Sequence, residues 1–273
     1  MTLTHATVRS PDGLDIHYEA GGSGEPALVF VHGLGCKRQH WEAQLEAFAP
    51  RHAVVAIDLA GHGESGRARG AWSMPAFADD VAAVVRALNL KRIILVGHSM
   101  GGSVIVHAAR KLAPAVIGLV GVDTWSALEQ GAGIPGLSPA AAEDRLAPFR
   151  KDFKRSMDAW VRTMFMPTSD PAMVEQVVAT MSSAPPELVL DMLGGRLDTR
   201  EGFKKVFGEV GVPIHAIATD EFMPRSMETA RRHGFKLVKM TGVGHFLMME
   251  DAAAFNRHLE TAIAEIVAAG TGG

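Results

Sequence analysis

The sequence predicts an α/β protein: a mostly parallel central sheet with helices on both faces and a helical insertion between two strands. Three observations predict it. Short apolar runs of strand length end in small or polar residues, as in "ALVFVHG" (27–33), "RIILVGHS" (92–99) and "AVIGLVGVD" (115–123). Segments with apolar residues at helical spacing separate these runs, the alternation that builds a parallel sheet covered on both sides. From about 124 to 208 the strand-like runs stop, and they resume at "VPIHAIAT" (212–219).

The elements follow in order. Residues 4–9 and 14–19 alternate around "SPDG" and read as a β-hairpin. After the strand at 27–33, Trp41, Leu45 and Phe48 mark a helix over 39–49. "HAVVAIDLAG" (52–61) is a second buried strand, and Phe77, Val81, Val84, Val85 and Leu88 mark a helix over 75–88. The strand at 92–99 leads into a helix at 100–112 and then the strand at 115–123. Within 124–208, proline, methionine and helical periodicity dominate, as in "DAWVRTMF" and "PAMVEQVVATM". This block has no credible core of its own and is expected to pack over one edge of the sheet. Strands at 212–219 and 235–242 and a helix from about 251 to 267 complete the chain. The expected organisation is a core of 1–123 and 209–273 with a cap subdomain of 124–208.

Composition bounds the function. The chain has 273 residues, 47% of them apolar, which suits one large domain with an inserted subdomain. Lys and Arg number 27 against 30 Asp and Glu, for a net charge of −3, so neither nucleic acid nor an anionic membrane is an expected partner. One cysteine, Cys36, excludes an internal disulfide. No basic segment followed by an apolar run opens the chain, and no run has the ~18 apolar residues of a membrane span. A cytoplasmic protein acting on a small-molecule substrate is expected. No P-loop, HExxH or Cys/His metal spacing occurs, and neither a metal nor an organic cofactor is expected. "GHGESG" (61–66) and "GAGIPG" (131–136) fit the dinucleotide pattern G-x-G-x-x-G, but neither opens a helix within an N-terminal βαβ unit, and both read as chance.

"GHSMG" (97–101) fits G-x-S-x-G with a strand before it and a helix after it. A serine at such a turn adopts strained backbone angles, and residues two positions away must lack bulk. Its hydroxyl then projects above the sheet, where the N–H groups of the following helix also point. A hydroxyl is a weak nucleophile and needs a base. Among 12 histidines, His245 in "GVGHFLMME" follows the last strand, at the end of the sheet where Ser99 lies. His32, His62 and His98 sit beside glycines near the same end, as turn, packing or pocket residues. His107, His215 and His233 fall within elements and read as structural.

"HGLG" (32–35), "DLAGHGES" (58–65), "GHSMGG" (97–102) and "GVGHF" (242–246), in this order and spacing, resemble the α/β-hydrolase superfamily. The resemblance covers the chain outside 124–208, where the family places its variable cap. One departure is Ala60, where the family usually has proline. The resemblance implies Ser99 as nucleophile, His245 as base and an oxyanion hole from the N–H groups of Leu34 and Met100. It leaves two acids open. Asp220 follows the returning strand, the usual location, but the run from Pro213 to Asp220 is short for such members. Asp123 ends the strand after the serine turn, where haloalkane dehalogenases and certain esterases carry their acid. Asp123 is preferred and Asp220 is the alternative.

Haloalkane dehalogenases and epoxide hydrolases of this fold attack with aspartate, so Ser99 argues against both. The implied function is hydrolysis of a small, partly apolar carboxylic ester or lactone through an acyl-enzyme. The alternatives are a C–C bond hydrolase, a cofactor-free lyase or oxygenase, or a ligand-binding protein that kept the fold. Trp160, Met164, Phe165, Met166, Met173, Met181 and Met192 are candidates to line the pocket, and Arg145, Arg162 and Arg196 to receive an anion.

Overall fold

A computed structural model of the chain describes residues 3–126, 139–195, 197, 200–220 and 223–270. Eight strands form one sheet: β1 (Thr4–Arg9), β2 (Asp15–Gly21), β3 (Ala27–Val31), β4 (Val54–Ile57), β5 (Ile93–His98), β6 (Val116–Val122), β7 (Ile214–Thr219) and β8 (Lys236–Met240). Their spatial order is β1-β2-β4-β3-β5-β6-β7-β8. From β4 to β8 every pairing is parallel, and the β1–β2 hairpin joins antiparallel at the β4 edge. β3, β4 and β5 are buried at every residue, as expected of strands covered on both faces.

Topology decides where a site can form. The chain steps from β3 outward to β4 through α1 (Glu42–Phe48), then back across β3 to β5 through α2 (Met74–Ala87). Both crossovers are right-handed by the general rule, so reversing direction puts α1 and α2 on opposite faces. α3 (Met100–Leu112) packs beside α2, and the C-terminal helix packs beside α1. The loops leaving β3 and β5 therefore diverge at the carboxyl ends of adjacent strands, the crevice where open α/β sheets bind ligands.

β4 is shorter than the expected 52–61 because Asp58 ends it. That buried carboxylate accepts from the backbone N–H of Arg38 at 2.7 Å and of Glu64 at 3.0 Å, and pairs with the Arg38 guanidinium. Its own carbonyl accepts from Ser65 Oγ at 2.6 Å. "DLAGHGES" is thus a turn folded around a buried acid, not a continuing strand.

Between β6 and β7 lie α4 (Pro139–Lys151), α5 (Phe153–Arg162), α6 (Pro171–Met181), α7 (Pro186–Leu193) and α8 (Arg200–Gly208). α5 and α6 open on aspartate caps, with Asp152 accepting from Arg155 N and Asp170 from Ala172 N. Their apolar residues, including Met157, Val161, Val177 and Met181, join the main hydrophobic cluster. The block does not sit over one edge of the sheet, as the sequence suggests. It lies over the carboxyl ends of the strands, where Met164 O accepts from His245 N at 2.7 Å in the loop after β8. α8 behaves differently from the other four: it packs against α3, with Phe203 6.1 Å from His107.

Three further helices close the chain: α9 (Met223–His233), α10 (Leu247–Glu250) and α11 (Ala252–Gly270). α9 has no counterpart in the sequence expectation. Among its described side chains the buried ones are Ser226, Thr229 and Ala230, small or polar residues that leave no apolar stripe to read. No described helix is long and apolar enough to cross a membrane.

Candidate active site

Ser99 stands between the end of β5 and the first residue of α3, at φ 53 and ψ −117. A non-glycine residue in that region costs on the order of 1–3 kcal/mol and persists only where its surroundings over-determine it. The surroundings do so here. Thr124 Oγ1 donates to Ser99 O at 2.9 Å, and Ser99 N donates to Val122 O at 2.9 Å. A Cβ at Gly97 would stand 2.4 Å from Gly101 O, and one at Gly101 2.4 Å from Val31 O. The two glycines of "GHSMG" are therefore required by the close packing of strand, turn and helix.

His245 lies in the loop between β8 and α10, on the far side of the insertion in sequence. Its Nδ1 is 2.6 Å from Asp123 Oδ2. Asp123 is buried just beyond the end of β6, at φ 44, and its other oxygen accepts from Thr219 N at 3.0 Å and Thr219 Oγ1 at 3.1 Å. The carboxylate thus meets donors on both oxygens. With Nδ1–H given to it, the neutral ring keeps its lone pair on Nε2, the atom a general base uses. Asp220 is elsewhere: exposed, and paired with Lys239 at 2.7 Å. Of the two candidate acids, Asp123 is the one in contact with His245.

Ser99 and His245 line one cavity of about 200 Å³ under the insertion. Gly33, Leu34, Cys36 and His98 form its floor, and Trp160, Met164, Met181, Met192, Leu193 and Phe246 its walls and roof. Of the apolar residues expected there, Phe165 instead stacks on Phe246 at 5.0 Å, Met166 is exposed, and Met173 does not line the space. The described arginines do not enter it either. Arg162 is exposed and pairs with Asp158 and Glu175, Arg145 lies outside the lining, and Arg196 falls outside the described residues. Among the described residues no acidic or basic side chain other than histidine lines this cavity.

The N–H groups of Leu34 and Met100 have no acceptor among the described residues. Leu34 lines the cavity in the loop after β3, and Met100 opens α3. Two unoccupied donors beside the Ser99 turn suit a developing oxyanion, one such donor being worth ~3 kcal/mol in a transition state. Cys36 lines the cavity too, but burial pushes its thiol up to about 12 and Sγ faces Leu34 O at 3.5 Å, so it is inert. Among the described residues no three His, Cys, Asp or Glu side chains converge to hold a metal ion.

The neighbouring histidines are structural and neutral. His32 Nδ1–H donates to Gly33 O at 2.7 Å while Nε2 accepts from Leu59 N at 3.1 Å, tying the β3 loop to the β4 turn. His62 Nδ1–H donates to Ala60 O at 3.0 Å. His98 alone of these lines the cavity, and its Nε2–H donates to His245 O at 2.8 Å. Desolvation holds His32, His40 and His62 at about 3, far below the ordinary 6.5, and pushes His98 well down also. The unfolded chain takes up these protons below about 6.5 and the native protein does not until about 3. Stability is therefore full above about pH 6.5 and falls as pH drops through the interval below it. Urea midpoints measured at pH 7.5, 6, 5 and 4 are expected to decline in that order; a flat series would refute the neutral assignment.

Several contacts here carry no signal in the sequence. Thr219 is placed on Asp123 by the β6–β7 register, in which Val122 pairs with Ile217. The His98 bond to His245 joins residues 147 positions apart.

Comparison with known proteins identifies the fold and the family. A pimeloyl-[acyl-carrier protein] methyl ester esterase of Pectobacterium carotovorum is 26% identical over 78% of this chain and 83% of its own length. An esterase structure from Thermogutta terrifontis superposes with a TM-score of 0.80 at 25% identity, covering 96% of this chain and 99% of that one. An N-acyl homoserine lactone degrading enzyme superposes at 0.79 and 25% identity, covering 94% and 99%. Other curated relatives are matched over part of their length only, as with an uncharacterized Mycobacterium tuberculosis protein, 35% identical over 29% of its length. The sequence profile of the alpha/beta hydrolase family matches residues 28–258, and the chain belongs to that family.

Proposed function

We propose that the protein is a serine hydrolase that cleaves a small, partly apolar carboxylic ester or lactone through Ser99, His245 and Asp123. The observation that carries this reading is the 2.6 Å contact of His245 Nδ1 with Asp123 in a cavity that Ser99 also lines. Ser99 Oγ attacks the ester carbonyl as its proton passes to His245 Nε2, and Asp123 stabilises the imidazolium. The negative charge on the carbonyl oxygen is received by the N–H groups of Leu34 and Met100. The leaving alcohol takes the proton from His245, and a water deprotonated by the same imidazole releases the acid and restores Ser99. In this reading 1–123 and 209–273 form the catalytic core and 124–208 the cap.

The cavity bounds the substrate. The space lined by the described residues, about 200 Å³, is small for a ligand pocket and suits a short acyl group. The described walls are apolar and carry no Lys or Arg, which favours a neutral acyl group over an anionic one. On p-nitrophenyl esters from acetate to laurate, kcat/KM is expected to rise while added CH₂ groups are buried, each worth about 0.8 kcal/mol, and to stop rising once the acyl chain outgrows the cavity, well before laurate. Small lactones are expected to turn over as well. Absence of hydrolysis across the whole panel would overturn the reading.

A further inference from the structure

Three consecutive residues around His245 are held by one stretch of the insertion. Gly244 N donates to Glu250 Oε1 at 3.0 Å, and the other oxygen of Glu250 accepts from Ser169 Oγ in the loop between α5 and α6. His245 N donates to Met164 O at 2.7 Å. Phe246 stacks on Phe165, with ring centroids 5.0 Å apart and planes 11° apart. Gly244 also lies so close beneath this stretch that a Cβ there would stand 2.4 Å from Met164 O. From the core side His245 is held by Asp123 at Nδ1 and by His98 at the carbonyl.

The His245 loop is therefore fastened half by the sheet and half by the insertion. Glu250 is the joint between them. It stands on α10, in the core, yet both of its oxygens are spent on other segments: one on the backbone of the His245 loop, one on Ser169 of the insertion. Ser169 is itself oriented, its Oγ accepting from Met166 N at 3.0 Å. Lifting residues 164–169 would remove the acceptor of His245 N, the ring against Phe246 and the second partner of Glu250 together.

We propose that Glu250 and Ser169 form a latch through which the insertion sets the position of His245, so that the imidazole is correctly placed only while the insertion is seated over the cavity. The proposal rests on the hydrolase reading for its catalytic consequence, not for the physical link itself. Neither residue touches the reacting atoms; both are positioning residues. Substrate entry and catalytic competence are then alternatives in time: the state that opens the roof is one in which the base is loosened.

The test uses full-length Glu250→Ala, Glu250→Gln and Ser169→Ala proteins. Labelling by a fluorophosphonate is recorded, and kcat on p-nitrophenyl acetate is expressed per folded molecule, counted from concentration and near-UV circular dichroism. Amide hydrogen exchange is followed by mass spectrometry over 164–169 and 243–246. Expected for Glu250→Ala is a kcat at least about tenfold lower with KM within twofold, and faster exchange in both segments. Ser169→Ala should show the same pattern, weaker. Glu250→Gln should recover most of kcat, since its carbonyl oxygen still accepts from Gly244 N and its amide can donate to Ser169 Oγ. A wild-type kcat per folded molecule in Glu250→Ala, or unchanged exchange over 243–246, overturns the latch, as does a Gln variant no better than Ala. If the wild type neither turns over esters nor reacts with the probe, the hydrolase reading fails, and the exchange data alone decide the latch: faster in both segments supports it, unchanged sinks it.

Discussion

Ser99→Ala is expected to abolish ester turnover, with kcat down by at least about 10⁴-fold, and to eliminate covalent labelling by a fluorophosphonate. The size follows from the chemistry assigned to the side chain. In the proposed mechanism Ser99 Oγ forms and breaks the bond to the acyl group, and among the described lining residues no second nucleophile of comparable reactivity occurs. Cys36 is the one other candidate on the lining, and its buried thiol stays protonated. Folding should survive the change. What holds the turn at φ 53 is backbone bonding to Thr124 and Val122 and the contacts of Gly97 and Gly101, none of which involve the hydroxyl. The variant should bind short esters and melt within a few degrees of the wild type. Undiminished labelling would remove Ser99 from the mechanism. Substantial residual turnover would instead favour lyase or oxygenase chemistry that uses His245 without a covalent intermediate.

The second large effect separates the two acids. Asp123→Asn should lower kcat by about 10⁴-fold, the scale seen when a triad carboxylate is amidated. The structure supplies the reason in detail. Thr219 N and Oγ1 both donate to Asp123 Oδ1, so an asparagine would turn its carbonyl oxygen toward them. Its NH₂ would then face His245 Nδ1, which must accept, forcing the ring proton onto Nε2. The imidazole would meet Ser99 in the tautomer that cannot take a proton. Asp220→Asn should change kcat less than about twofold, because that carboxylate is exposed and paired with Lys239. Kinetics of the two variants against one ester check the assignment; the reverse ranking would move the acid to Asp220.

Much of the frame was legible because it is written in local patterns. The apolar runs from 27 to 122 appear as strands, and α3 occupies the expected 100–112. Ser99 was readable from the glycines its turn demands, and His245 from its place after the last strand. The acid was legible only as a preference for Asp123 over Asp220, since both end strands at the same end of the sheet; the β6–β7 register and the path of the His245 loop bring Asp123 to the imidazole. α9 escaped because its core-facing residues are small or polar. β4 was overread because "DLAG" continues an apolar run, while the buried Asp58 beyond it ends the strand by hydrogen bonds to residues 20 and 6 positions away. The partners Thr219, His98, Glu250 and Ser169 carry no pattern at all: each is an ordinary polar residue until the chain is folded.

In the hydrolase reading the hydroxyl and the carboxylate stand at the tips of neighbouring strands joined by a single helix, both ahead of the inserted block. The β5–β6 pairing, which uses no residue beyond 122, brings those strand ends side by side, and Thr219 on β7 then holds the carboxylate. The block between β6 and β7 can then lengthen, shorten or be swapped for a relative's without dragging the acid along. The imidazole and Thr219, both delivered from beyond the block, then have to find their berths again.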